Sequence, residues 1–305
     1  MRGDDEQRAI TTHVEAERGK ALLMLVAGAC VIGLAPILVR LADSGPAATG
    51  FWRLAFSLPL LATLARRTAG GVGRPFRLAL LAGVAFALDL GFWHYGIANT
   101  SVGKATVLTN LTPVVVTAVA WIFLKQRPSH LFLVAVALAV AGAWIMAVAK
   151  GVGAAGRNPP LGDALSLATA VWYALYFLAV SAARRREAAT RIMIWSALTG
   201  APLLLVSALL LGERMLPVTA AGWAVCAGLG VVHVAGQGSI AWALGRLPPA
   251  TASVTVLVQP VVAAMMGWLL FNERFSAWQT AGAAVALSGV VLAQWASRTR
   301  SVVTP

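Results

Sequence analysis

Asp89, Asn110, His233 and Gln259 each stand near the middle of a long apolar stretch. An ionisable or amide group in such a place costs free energy unless water, a partner or a ligand compensates it, so each is a functional hypothesis by default. A carboxylate and an imidazole can hold a charged ligand or carry a proton, and the two amides can exchange hydrogen bonds with a polar one. Helical spacing extends each into a face. Thr106, Asn110, Pro113 and Thr117 form one, Thr251, Thr255 and Gln259 a second, His233 and Gln237 a third, and Asp89, Phe92, Trp93 and Gly96 a fourth. Lining one hydrated cavity accounts for all four faces, whereas helix-to-helix hydrogen bonding accounts for Thr106, Thr117 and Thr251 equally well. Asp89 is the most consequential of the set, and His233 is its expected partner, the two side chains facing each other or one shared ligand.

Aromatic residues cluster beside these groups. His94 and Tyr95 lie toward one end of their stretch, where an interfacial belt is the ordinary reading. Trp172, Tyr173 and Tyr176 lie mid-stretch, too deep for a belt, and suit a cavity wall that stacks on a substrate or contacts a cation. Arg53 lies about one turn into its segment, where it either snorkels to the headgroups or attracts a substrate carboxylate. Pro113 and Pro260 remove the amides that would bond one turn back, leaving the carbonyls of Thr109 and Val256 to bind a ligand or simply to mark a kink. The expected substrate-binding set is therefore Asp89, Trp93, Asn110, Trp172, Tyr173, Tyr176, His233, Gln237, Thr255 and Gln259, with Pro113 and Pro260 as kink or gating positions.

The elements that must position these residues follow from composition. Of 305 residues 59% are hydrophobic and 11% charged, and mean hydropathy is +0.79. That composition belongs in lipid. A helical span needs roughly 20 apolar residues, and runs this long are unlike the alternating strands of about ten residues in a barrel. The expected class is an all-α membrane protein with spans near 21–41, 47–65, 76–98, 102–124, 130–149, 161–182, 191–211, 218–244, 249–271 and 277–296. A charged tail, 1–20, precedes them without the apolar core of a signal peptide, a linker covers 150–160, and 297–305 form a second tail.

The net charge of +13 resides mainly in short loops, which makes it a topology signal rather than a nucleic-acid footprint. Arg66, Arg67, Arg74 and Arg77 fall in one loop and Arg184, Arg185, Arg186 and Arg191 in another. With Lys125, Arg127, Arg246, Arg298 and Arg300 they place both termini in the cytoplasm, against the exceptions Lys150, Arg157, Arg214 and Arg274.

Residues 105–142 align without gaps on 252–289, pairing Pro113 with Pro260, Trp121 with Trp268, Arg127 with Arg274 and Gly142 with Gly289. Two repeats of five spans, 21–149 and 161–296, follow. Five is odd, so the second copy enters the membrane from the opposite side. Inverted repeats of this kind carry substrate near the midplane where the halves meet. Gly282, Ala286 and Gly289 give the last span a small-residue face, for packing within the chain or across a homodimer.

These features together resemble the EamA type of the drug/metabolite transporter superfamily. The resemblance rests on Phe51-Trp52-Arg53-Leu54, Gly162-Asp163-Ala164-Leu165, Pro113 and Pro260, Glu273, and Gly142 and Gly289, in order and spacing from Leu22 to Trp295. One departure is Gln126, where the first half lacks the acid that Glu273 supplies in the second. The resemblance implies export or exchange of a small molecule, often an amino acid or related metabolite, across a bacterial inner membrane.

The leading expectation is a secondary carrier working by alternating access, with a small-molecule substrate and the lipid bilayer as its partners. A proton-coupled multidrug exporter is the alternative within transport. A membrane-embedded enzyme is the alternative outside it, disfavoured by the absence of H-E-x-x-H, G-x-S-x-G or a phosphate loop. Nothing reads as a channel filter or an ATP site. Cys30 and Cys226 both fall inside apolar spans, and neither a disulfide, a metal nor a cofactor is expected.

Overall fold

Long runs of Ala, Leu, Val and Gly without alternation leave the helix as the one way to satisfy the backbone in lipid. The computed structural model describes the backbone of residues 2–100, 105, 108–149, 157–271 and 276–301, and the side chains of 15–96, 99–100, 105, 108–149, 157–270 and 276–297. Thr106, Lys150, Glu273 and Arg274 fall outside the described residues. Among those described there is no strand. Among the described residues nine helices are long and apolar enough to cross a membrane, and the shorter Thr112–Ile122 makes a tenth apolar segment.

Span 1 runs as Arg2–Ile32, so the charged leader is helical and continuous with it, then turns ahead of Pro36 and resumes as Ala35–Leu41. Span 2 is Pro46–Ala69 and span 3 Arg77–Asn99. Span 4 turns at residues 110–111 and continues as Thr112–Ile122, and span 5 is His130–Ala149. Span 6 is Pro159–Ala183 and span 7 Ala189–Leu210. Span 8 comprises Ala220–Val232, a π-helical turn His233–Gln237 and Gly238–Ala243. Span 9 is broken into Pro249–Thr255 and Val258–Phe271, and span 10 is Ala277–Ser301.

Local chemistry sets several ends. The Asn158 side chain accepts from Leu161 N–H ahead of span 6, and Thr219 Oγ1 accepts from Gly222 N–H at 2.9 Å ahead of span 8. Such caps satisfy amides that the first turn leaves unpaired. Span 2 ends at Gly70, whose φ of 69° closes the helix in the left-handed region.

The inverted repeat is visible in the packing. Spans 3 and 6 lie together, as do 8 and 1, and span 3 meets 7 as 8 meets 2. Exchanging spans 1–5 with 6–10 maps each of these pairs onto its counterpart, while the pairs 2–7 and 5–10 map onto themselves. The 5–10 seam shows it at atomic level. A Cβ on Gly142 would strike the backbone of Ala286, and one on Gly289 the backbone of Ala139. Those two contacts are each other's equivalents in the gapless alignment. The small-residue face of span 10 thus closes against span 5 within the chain.

The exterior is apolar, with Leu210 81% and Phe123 74% exposed, as a lipid-facing surface requires. The protein is a multi-pass membrane protein.

Candidate functional site

Polar side chains from five spans meet at the junction of the two repeats. Span 2 contributes Arg53, only 4% exposed. This overturns the snorkelling expectation: the guanidinium turns into the bundle and lies 5.5 Å from the centroid of the Phe86 ring. Its electrostatic neighbours are Asp89, Tyr173 and Tyr176. Span 3 places Phe86 and Asp89 one turn apart on the same face. Span 6 brings Tyr173 and Tyr176, whose rings stack at 6.0 Å and 7°. Tyr176 is fully buried, lies 4.9 Å from Phe86 and points its hydroxyl at Met193 Sδ, 3.6 Å away.

Spans 8 and 9 close the cluster. His233 lies 5.2 Å from Phe86 with Nδ1 buried and unpaired, and Gln237 is buried with its Oε1 unpaired. The Tyr173 hydroxyl faces Gln237 and Gln259. Arg53 Nε, Asn110 Nδ2 and Gln259 Nε2 are likewise buried without a protein partner. Each such atom costs about 1–3 kcal/mol until a polar group meets it. The grouping of Arg53, His233, Gln237 and Gln259 around Tyr173, Tyr176 and Phe86 is the signature of a site for a polar ligand.

Of the two arrangements expected for Asp89 and His233, direct contact does not form. Arg53 is the charged neighbour of both, and the Phe86 ring is what His233 packs on. Thr255 is also corrected: its hydroxyl donates to Thr251 O at 2.8 Å and accepts from Gln294 Nε2, while Thr251 pairs with Ser297 Oγ at 2.8 Å. The break in span 9 separates this face from Gln259 and turns it onto span 10. Trp172 pairs with Phe92 at 6.1 Å and Trp93 with His94 at 5.0 Å. The belt reading of His94 fails as well. His94 is buried, and the Tyr95 hydroxyl donates to Glu213.

Pro113 and Pro260 do not bend continuous helices; each opens the second half of a broken one. The carbonyls expected to be freed both have donors, Thr112 Oγ1 to Thr109 O at 2.9 Å and Gln259 N–H to Val256 O at 2.9 Å. The π turn gave no sequence signal. It spans His233 to Gln237, both buried, and such turns recur at functional sites. Arg53 and Phe86 were the residues sequence reasoning undervalued. Phe86 had one available signal, its place one turn before Asp89.

Both ends of the cluster are tied by polar contacts between the repeats. At one end Glu213 accepts from Tyr95 and, at 3.0 Å, from Ala48 N–H in the first turn of span 2. Asp43 accepts from Thr219 N–H at 2.9 Å and Thr219 Oγ1 at 2.7 Å at the start of span 8. The Thr219 hydroxyl leads in holding the Asp43 carboxyl below its ordinary value. Trp52 Nε1 donates to Met215 O at 2.8 Å. At the other end Arg191 donates to Ala69 O at 2.6 Å and Gly71 O at 3.2 Å.

Broken helices in a two-repeat bundle, with a buried polar cluster where the repeats meet, define the architecture of a membrane transporter. The EamA-like transporter family matches residues 19–148 and 160–295, and the chain belongs to that family. It is 25% identical over 276 residues to an uncharacterized transporter of Archaeoglobus fulgidus, covering 90% of this chain and 96% of that protein. A crystal structure superposes with a TM-score of 0.78 at 14% identity, over 91% of this chain and 98% of that one, a likeness of fold.

Proposed function

We propose that the chain is a secondary carrier that exports or exchanges a small metabolite, an amino acid or related compound, by alternating access across the cell inner membrane. One observation carries this reading: Arg53, Asp89, Tyr173, Tyr176, His233, Gln237 and Gln259 come from both repeats and gather where the repeats meet, with Arg53, Asp89, Tyr176, His233 and Gln237 buried. The polar ties at the two ends supply closures that break and form in turn as the repeats exchange conformations.

The distribution of basic loops supports cytoplasmic termini, with residues 184–186 on the same side. Impermeant thiol labelling of intact cells tests this, in a background with Cys30 and Cys226 replaced. A cysteine at Arg214 should be labelled and one at Arg185 should not; the opposite pattern inverts the assignment.

Transport is tested with the purified chain in sealed vesicles, screening labelled amino acids with and without a pH gradient. Accumulation or counterflow of at least one compound is the expected result, and no movement of any compound under either condition sinks the carrier reading. A buried carboxylate and imidazole in one cluster favour a second reading, a proton-coupled multidrug exporter. It would show as a strict requirement for the gradient together with transport of chemically unrelated cations.

A further inference from the structure

We infer that Arg53 and Asp89 form a split charge pair that selects substrates carrying both a carboxylate and an ammonium group, Arg53 holding the first and Asp89 the second. This rests on the carrier reading of the same cluster. Arg53 is 4% and Asp89 9% exposed. Both charges sit where a lone charged group is costly. Direct contact would be the simplest relief, yet the two are electrostatic neighbours without a contact ion pair. Arg53 lies over the Phe86 ring instead, and its Nε is buried without an acceptor. Phe86 and Asp89 share one face of span 3, so the ring that receives the guanidinium also holds it off the carboxylate.

The charge pattern narrows the ligand. An anion alone would meet Arg53 but be repelled by Asp89, and a cation alone would leave Arg53 uncompensated. A neutral solute would relieve neither. A zwitterion with its two charges a few bonds apart satisfies both at once, and the planar guanidinium suits a carboxylate through paired hydrogen bonds. The neutral groups around the pair complete the selection. Gln237, Gln259 and the Tyr173 hydroxyl can exchange hydrogen bonds with the ligand, while the stacked rings of Tyr173 and Tyr176 form an apolar wall for its side chain. Arg53 is then the residue that determines the requirement for a carboxylate.

The test uses the purified full chain and a compound series: the L-amino acids of proteins and, for each that binds, its amide, its decarboxylated amine and its N-acetyl derivative. Binding is read as ligand-induced thermal stabilisation, and transport as counterflow in vesicles. With the unmodified protein, loss of either charge should weaken binding about tenfold or more. Arg53→Gln should weaken the parent amino acid by a similar factor while leaving the amine unchanged, and Arg53→Lys should recover part of the loss. An amine or amide that binds as well as its parent overturns the inference, as does the failure of every amino acid to bind. Because the unmodified protein decides first, poor folding of a variant leaves the conclusion intact. Binding of zwitterions without counterflow removes the carrier reading and leaves the charge selection standing. Counterflow of non-carboxylates, with no preference for zwitterions, does the reverse.

Discussion

Asp89 and Tyr176 differ in how much of their role depends on a ligand. Asp89 has no neutralising contact, so Asp89→Asn keeps its size while removing the charge, and the folded yield should hold. Transport per folded molecule should fall about tenfold or more, measured over a pH series in vesicles. Normal rates in a well-folded variant would take Asp89 out of the site. Tyr176 is different, because it is fully buried against Phe86, Tyr173 and Met193. Its truncation to Ala should lower stability by about 3–5 kcal/mol, in the range of large-to-small aromatic changes, and appear as lost yield. Tyr176→Phe removes only the hydroxyl and its weak contact to sulfur. That variant should express normally, with the apparent affinity for substrate shifted by no more than several-fold, read from initial rates of counterflow.

At the level of elements, hydropathy and the prolines made nearly all of the bundle legible. The gapless alignment of 105–142 on 252–289 also anticipated the 5–10 seam. Gly142 and Gly289 match in the sequence and occupy equivalent contacts in space, each pressed on the backbone of the facing helix. Gly142→Ala and Gly289→Ala should therefore destabilise to similar extents, by about 1–3 kcal/mol as overpacked substitutions do. A fall in the apparent melting temperature of the detergent-purified protein checks this, and an unchanged value for both would deny the close seam. What the sequence did not disclose depends on long-range geometry. The π turn has no residue code, since His-Val-Ala-Gly-Gln is compatible with an ordinary helix. Arg53 was misjudged because its surroundings, Phe86 and Asp89 on span 3 and Tyr173 and Tyr176 on span 6, lie far along the chain. Thr255 was misjudged because a face extrapolated by helical periodicity does not survive the break at residues 256–257.

On the scale of the whole molecule, the proposed alternating-access cycle makes the ties at the two ends of the central cluster its closures, and the one built on Glu213 is the more exposed to test. Glu213 joins span 3, through Tyr95, to the first turn of span 2, through Ala48 N–H, from a loop of the second repeat. A carboxylate at a helix N-terminus also gains from the helix dipole, typically about 0.3–1 kcal/mol. Asp43 makes the reciprocal contact, from the loop between spans 1 and 2 to the start of span 8. Its carboxyl is held below the ordinary value, so that contact is complete above the ordinary value and is lost only as pH falls through the lowered one. Mild acidification therefore leaves the Asp43 contact in place, and the Glu213 contact can be weakened separately by substitution. Glu213→Gln keeps the volume but offers one acceptor oxygen instead of two and no charge, and a hydrogen bond to a charged group contributes about 1.5–3 kcal/mol. A loss of that size shifts an open–closed equilibrium about tenfold or more toward opening at this end. Thr49, 2% exposed in the first turns of span 2, reports the change. In a Thr49→Cys protein without its native cysteines, labelling by an impermeant reagent applied to that face should rise about tenfold when Glu213 becomes Gln. Tyr95→Phe should produce a smaller rise, because it removes one of the two donors and leaves the carboxylate on the helix. Equal labelling in all three proteins would show that Glu213 does not hold this end closed, and would move the closure to the Asp43 and Trp52 contacts.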